Sequence, residues 1–93
     1  MPNKTTVIFK FDKTTDGFWL GMFEDPVKPQ MKKEIGNIVI LSLLVKEYSL
    51  SDHQFIQLKL DIRGSGVILL IPRNFVGCIV EGENVDKLGF QVP

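Results

Sequence analysis

The sequence predicts a single all-β domain over residues 1–93, a small antiparallel barrel or compact sandwich of six to seven short strands. Three observations carry that expectation. Val and Ile number nine each beside seven Phe, and Ala is absent. Branched and aromatic side chains suit a pleated surface, whereas Ala is the strongest helix former. Apolar residues recur at every second position in several segments, the period of a strand with one buried face. Clusters of Gly, Pro, Asn, Asp and Ser interrupt these runs at short intervals, as antiparallel strands joined by tight turns require. Closure into a barrel hides most strand edges, which makes the barrel the expected form.

Val7 to Phe11 alternates, with Val7, Phe9 and Phe11 on one face. Thr14-Thr15-Asp16-Gly17 reads as a hairpin turn, the Asp-Gly pair supplying positive φ. Phe18 to Glu24 then reads as a strand apolar on both faces, with Gly21 as a bulge or point of close approach. Asp25 to Gly36 is irregular, since Pro26 and Pro29 have no N–H for a ladder. At most one short helical turn is expected near residues 30–35, ended by Gly36.

Asn37 to Tyr48 reads as the central strand, with Val39, Leu41, Leu43 and Val45 on one face. Its other face, with Ile38, Ile40 and Leu44, is also apolar, so it is either buried or docked on something. Gln54 to Ile62 is the cleanest amphipathic strand: Ile56, Leu58, Leu60 and Ile62 point in, and Gln57, Lys59 and Asp61 point out. Arg63-Gly64-Ser65-Gly66 makes a tight reversal into Val67 to Ile71, and Phe75 to Glu81 and Leu88 to Val92 complete the set. If residues 39–45 pair with 56–62, residues opposite each other must share a face. Odd positions then meet even ones, with Val45 opposite Ile56 or Leu58.

The function classes narrow by absence of chemistry. Formal charge is zero, with 11 basic and 11 acidic residues, so bulk charge gives no drive toward nucleic acid. The only basic cluster, Lys28, Lys32 and Lys33, is flanked by Glu24, Asp25 and Glu34. No run approaches the ~20 apolar residues of a membrane helix, and Met1 to Thr6 lacks the apolar core of a signal peptide. A soluble, cytoplasmic protein is the expectation. Neutral charge with 44% hydrophobic residues in so short a chain favours self-association or a permanent partner.

No catalytic residues, metal site or cofactor are expected. His53 and Cys78 are the only His and Cys. His53 reads as a solvated turn residue and Cys78, between apolar neighbours, as a small core thiol. Glu81 and Glu83 flank a Gly turn and read as solvating it rather than as an acid–base pair. Three residues remain as binding candidates: Trp19, Arg63 and Arg73. Adjacent strand residues point to opposite faces, so at least one of Phe18 and Trp19 faces outward, and Trp is a frequent interface anchor. Guanidinium groups match phosphate and carboxylate. The two arginines flank one strand, at opposite ends about 17 Å apart, so only a subunit junction would unite them.

Ile62-Arg63-Gly64-Ser65-Gly66-Val67 resembles the second conserved motif of the Sm-like RNA-binding proteins, an apolar-Arg-Gly-polar turn between two strands of a small barrel. The resemblance covers Ile62 to Ile71 and implies an RNA-binding ring. The family's first motif has no counterpart: Asp52 to Leu60 lacks its Met-Asn pair and runs too directly into Arg63. The expected function is a small non-enzymatic module for protein interaction or assembly, acting as a homo-oligomer. Its rivals are a small-ligand, nucleotide or RNA binder using Arg63 or Arg73 at a subunit junction, and a small enzyme completed only by assembly.

Overall fold

The computed structural model describes residues 4–23 and 27–82. Seven antiparallel strands form two sheets facing each other across one core. They are β1 (Lys4–Asp12), β2 (Met31–Ile35), β3 (Ile38–Val45), β4 (Glu47–Ser49), β5 (Phe55–Ile62), β6 (Ser65–Pro72) and β7 (Val76–Gly82). One helix, α1 (Gly17–Met22), follows β1, and a 3₁₀ turn at Arg73–Phe75 joins β6 to β7. The sheets run β2-β3-β1-β7 and β4-β5-β6, so the all-β sandwich stands and the barrel is not closed. The predicted strand Leu88–Val92 and Glu83 lie outside the described residues.

The core follows the alternation in sequence. Val7, Phe9 and Phe11 of β1 and Val39, Leu41, Leu43 and Val45 of β3 are buried from one sheet. Ile56, Leu58 and Leu60 of β5 and Ile71 of β6 meet them from the other. Burying each such side chain contributes about 1.5–3 kcal/mol. Phe9, Phe11 and Phe23 form a triangle with ring centroids 5.5 to 6.0 Å apart. Phe75 extends it, 4.8 Å from Phe11.

The segment expected as a strand, Phe18 to Glu24, is helical through Met22, and its last residue, Glu24, lies outside the described residues. Asp12 ends β1 by accepting from the Thr14 N–H at 2.8 Å, while its own N–H donates to the Asp16 carboxylate at 2.7 Å. These bonds curl the chain, and the Leu20 N–H donates to the Asp16 carbonyl at 3.1 Å to start the helix. β1 already has β3 and β7 on its two sides, which leaves no slot beside it for the next segment. Helical spacing instead turns Trp19, Leu20 and Phe23 toward the core and leaves Phe18 exposed. Gly17 opens this helix rather than a hairpin turn, and Gly21 approaches nothing closely.

Residues 31–35 form a strand, not a helical turn. The loop Gly36-Asn37 joins Ile35 to its partner Ile38, and only Gly36 of the two has positive φ, at 60°. That is the pattern of a type II′ hairpin turn, whose twist matches the flanking strands. The turn adds β2 to the edge of β3 that β1 leaves open.

The expected pairing of 39–45 with 56–62 is also replaced. The buried faces are those expected, but β3 pairs with β1, Leu43 opposite Val7 and Val45 opposite Thr5. The chain bends at Lys46 and passes into the second sheet, where the Lys46 N–H donates to the Lys59 carbonyl at 2.9 Å. β4 then pairs with β5, Glu47 opposite Lys59 and Tyr48 opposite Leu58. The bend takes one residue out of the alternation, so odd-numbered Val45 and even-numbered Tyr48 both turn to the core. Sandwich corners form in this way, by a strand that changes sheet at a bend.

Candidate interaction surface

The reversal between β5 and β6 determines what β6 offers to other molecules. Arg63 and Gly64 are its two loop residues, with φ of 54° and 83°, between the paired residues Ile62 and Ser65. Two consecutive positive φ values define a type I′ turn, whose flanking residues exchange both backbone hydrogen bonds. Arg63 is the only described non-glycine residue with positive φ. The left-handed region costs a residue with a Cβ about 1–2 kcal/mol.

From Ser65 the hydrogen-bonding direction alternates along β6. Ser65, Val67, Leu69 and Ile71 bond to β5. Gly66, Ile68 and Leu70 therefore point their N–H and C=O groups away from it. Among the described residues β6 has one neighbouring strand, so this side is a sheet edge. The same residues carry exposed side chains: Ile68 is 58% and Leu70 52% accessible. Lys59 and Gln57 of β5 lie beside them on the outer face, and Lys59 is held by Glu47 at 3.1 Å.

The other edges are better protected. β2 carries Lys32, Lys33 and Glu34, and charges on an edge discourage strand addition. β4 is three residues long. β7 carries Gly77 at a register shift opposite Ile8 and Phe9. Among the described edge strands only β6 combines eight residues, no charged side chain and two outward aliphatic residues.

The predicted binding residues do not converge. Trp19 is half-buried on α1, edge-on to Phe18 at 5.3 Å and 5.9 Å from Phe75, so it supports the core rather than presenting a free ring. Its neighbour Phe18 is the outward residue, at 76% exposure. Arg63 and Arg73 flank opposite ends of β6, as expected. Arg63 lines an open cleft of about 310 Å³ with Lys28, Asp61 and the apolar Val27, Leu43 and Leu60. Arg73 ties two connections together: its Nη1 donates to the Asp52 carbonyl at 3.0 Å, and its backbone N–H to Gln54 at 2.8 Å. The Asp52 carboxylate accepts the N–H groups of Gln54 and Phe55 at 2.7 and 3.0 Å. Those two bonds, foremost Gln54, hold its pKa below the ordinary value, with smaller help from the charges of His53 and Arg73.

His53 is an exposed residue of the β4–β5 loop, as expected. Cys78 is not a core thiol, for it is exposed on β7. Gly77 is the extra residue of the bulge, so Val76 pairs with Phe9 while Cys78 pairs with Ile8. Val76 and Ile79 thereby take the inward positions, and Cys78 falls on the outer face. Among the described residues no group of three or more His, Cys, Asp and Glu side chains could hold a metal ion. Among the described residues no helix is long and apolar enough to cross a membrane. The outward pair Ile68 and Leu70 was missed in the sequence, although its signal is there. Val67 to Ile71 is apolar at every position, which marks a strand with no polar face.

Cys78 should react with an alkylating reagent in native buffer nearly as fast as in denaturant, followed by intact mass; protection until unfolding would contradict its placement. A carboxylate held below its unfolded pKa contributes stability above that value and loses it as pH falls through the folded one. Unfolding midpoints of wild type should therefore fall as pH drops below the ordinary Asp value of about 3.9. Asp52→Asn, which can still accept the two N–H groups, should show a smaller fall. Identical pH profiles would contradict the assigned role of Asp52.

Compared with known protein families, curated proteins and solved structures, this chain matches none.

Proposed function

We propose that this protein is a small non-enzymatic module for protein interaction and assembly, working in the cytoplasm as a homo-oligomer. The observation that carries the reading is the β6 edge, where ladder groups with no partner strand among the described residues and the exposed side chains of Ile68 and Leu70 occupy one strip. Added strands gain affinity from main-chain hydrogen bonds and specificity from alternate side chains, and such an edge supplies both. Zero formal charge removes a general repulsion between copies. A lone, exposed thiol suits a reducing compartment.

A second reading is favoured by the cleft at Arg63. Lys28 and Arg63 stand beside buried aliphatic residues there, an arrangement suited to a small anionic ligand or nucleotide with an apolar part. Asp61 in the same lining opposes it.

Light scattering of purified protein at high micromolar concentration separates the two readings. Assembly predicts a mass of at least twice the 10.5 kDa chain and a protein-like ratio of absorbance at 260 and 280 nm. A 10.5 kDa species would contradict assembly. A monomer with raised absorbance at 260 nm would favour the nucleotide or RNA reading instead.

A further inference from the structure

We infer that the occupant of the β6 edge is the β6 strand of a second copy, antiparallel and with Ile68 on the two-fold axis. The inference rests on the assembly reading above and adds to it the partner, the strand and the register.

Backbone geometry supplies the first argument. An isologous two-fold contact brings a surface patch against itself, so an antiparallel β6 pair needs donors and acceptors that match on reversal. Gly66, Ile68 and Leu70 each present one N–H and one C=O to the edge. With Ile68 opposite Ile68 of the second copy, Gly66 falls opposite Leu70 and Leu70 opposite Gly66. All of their edge groups are then paired. Sliding the register by two places so that Ile68 faces Leu70 sets Gly66 against Pro72, which has no N–H to give. The Ile68-centred register avoids that loss.

Side chains agree with this register. Ile68 and Leu70 of both copies fall on one outer face and cover each other. Gly66 opposite Leu70 leaves space where the larger side chain stands, and a Cβ there would meet nothing within 4 Å in the single chain. The row through the axis reads Glu47, Lys59, Ile68 and then the same residues in reverse. Each lysine carries its own glutamate at 3.1 Å. Two lysines separated by three strand spacings stand about 14 Å apart, beyond the ~8 Å Debye length at physiological salt.

The ends of the paired strands carry charges of both signs. Reversal brings the Arg63 end of one copy beside the Arg73 end of the other. Asp61 lies near the first, lining the same cleft as Arg63. Asp52 lies at the second, in the loop whose carbonyl Arg73 holds. Each end of the paired ladder therefore mixes both signs, with Arg63, Lys28 and Arg73 beside Asp61 and Asp52. The result is a continuous six-stranded sheet, β4-β5-β6 followed by β6-β5-β4, with the two four-stranded sheets on its covered side.

Site-specific oxidation in the full-length chain tests the register. In a Cys78→Ser background, Ile68→Cys places two thiols across the axis. Cα atoms of a hydrogen-bonded antiparallel pair lie about 5.5 Å apart, within the range of a disulfide. Ile68→Cys should form disulfide-linked dimers at least tenfold faster than Leu70→Cys, whose thiol faces Gly66. Ile68→Lys, at an exposed position, should keep the fold by circular dichroism and raise the dimer dissociation constant at least tenfold. If the wild-type chain is monomeric at high micromolar concentration, the inference and the assembly reading both fail. If wild type is dimeric but Ile68→Lys remains equally so, or Leu70→Cys cross-links faster, this inference alone is overturned. Loss of the dimer in Phe18→Ser with none in Ile68→Lys would also overturn it, placing the contact at α1.

Discussion

The bend at Lys46 is the constraint on which the rest of the architecture depends. A single run of chain, 38–49, supplies a strand to each sheet. Before the bend, β3 is enclosed by β1 and β2 and contributes four buried apolar side chains. After it, only the three residues of β4 reach β5. Because β3 is fully paired in the first sheet, β5 cannot take it as a partner. It pairs with short β4 on one side and β6 on the other. The second sheet is thus narrow, and its longest boundary is β6. An apolar strand on a sheet edge follows from the corner.

The corner also explains how one core serves both sheets. Val45 and Tyr48 straddle it, and both turn to the core even though their positions differ in parity. The phenylalanines of β1 and Phe23 fill the space between the sheets, with Phe75 closing the end where β6 returns to β7. Large rings are needed there because, among the described residues, no long helix covers an open sheet. Exposed ion pairs such as Lys13 with Glu34, at 2.9 Å, lie outside this core. Exposed pairs contribute only about 0–1 kcal/mol.

Alternation made the strand faces legible without their partners. Leu41, Leu43, Leu58 and Leu60 are buried as their positions implied. Period-two patterning gives a side chain's face and says nothing of which strand lies alongside. No Gly or Pro marks the bend at Val45-Lys46-Glu47, so the segment reads as one uninterrupted strand. Residues 18–23 failed for a different reason: an apolar run of that length fits a buried strand and a short helix equally. The carboxylates of Asp12 and Asp16 decided between them. Cys78 was misplaced by a bulge, which shifts alternation locally and leaves only Gly77 as its sign. The candidate site was half legible. Arg63 and Arg73 were located at the correct ends of β6, whereas the exposure of Ile68 and Leu70 depends on β6 being an edge, a property of the whole sheet.

Cross-strand nuclear Overhauser contacts measure the corner most directly. The account predicts contacts between Leu43 and Val7 and between Tyr48 and Leu58 in the same sample. Finding Leu43 opposite Leu58, or Val45 opposite Ile56, would mean that 38–49 is one strand of one sheet, and would contradict it.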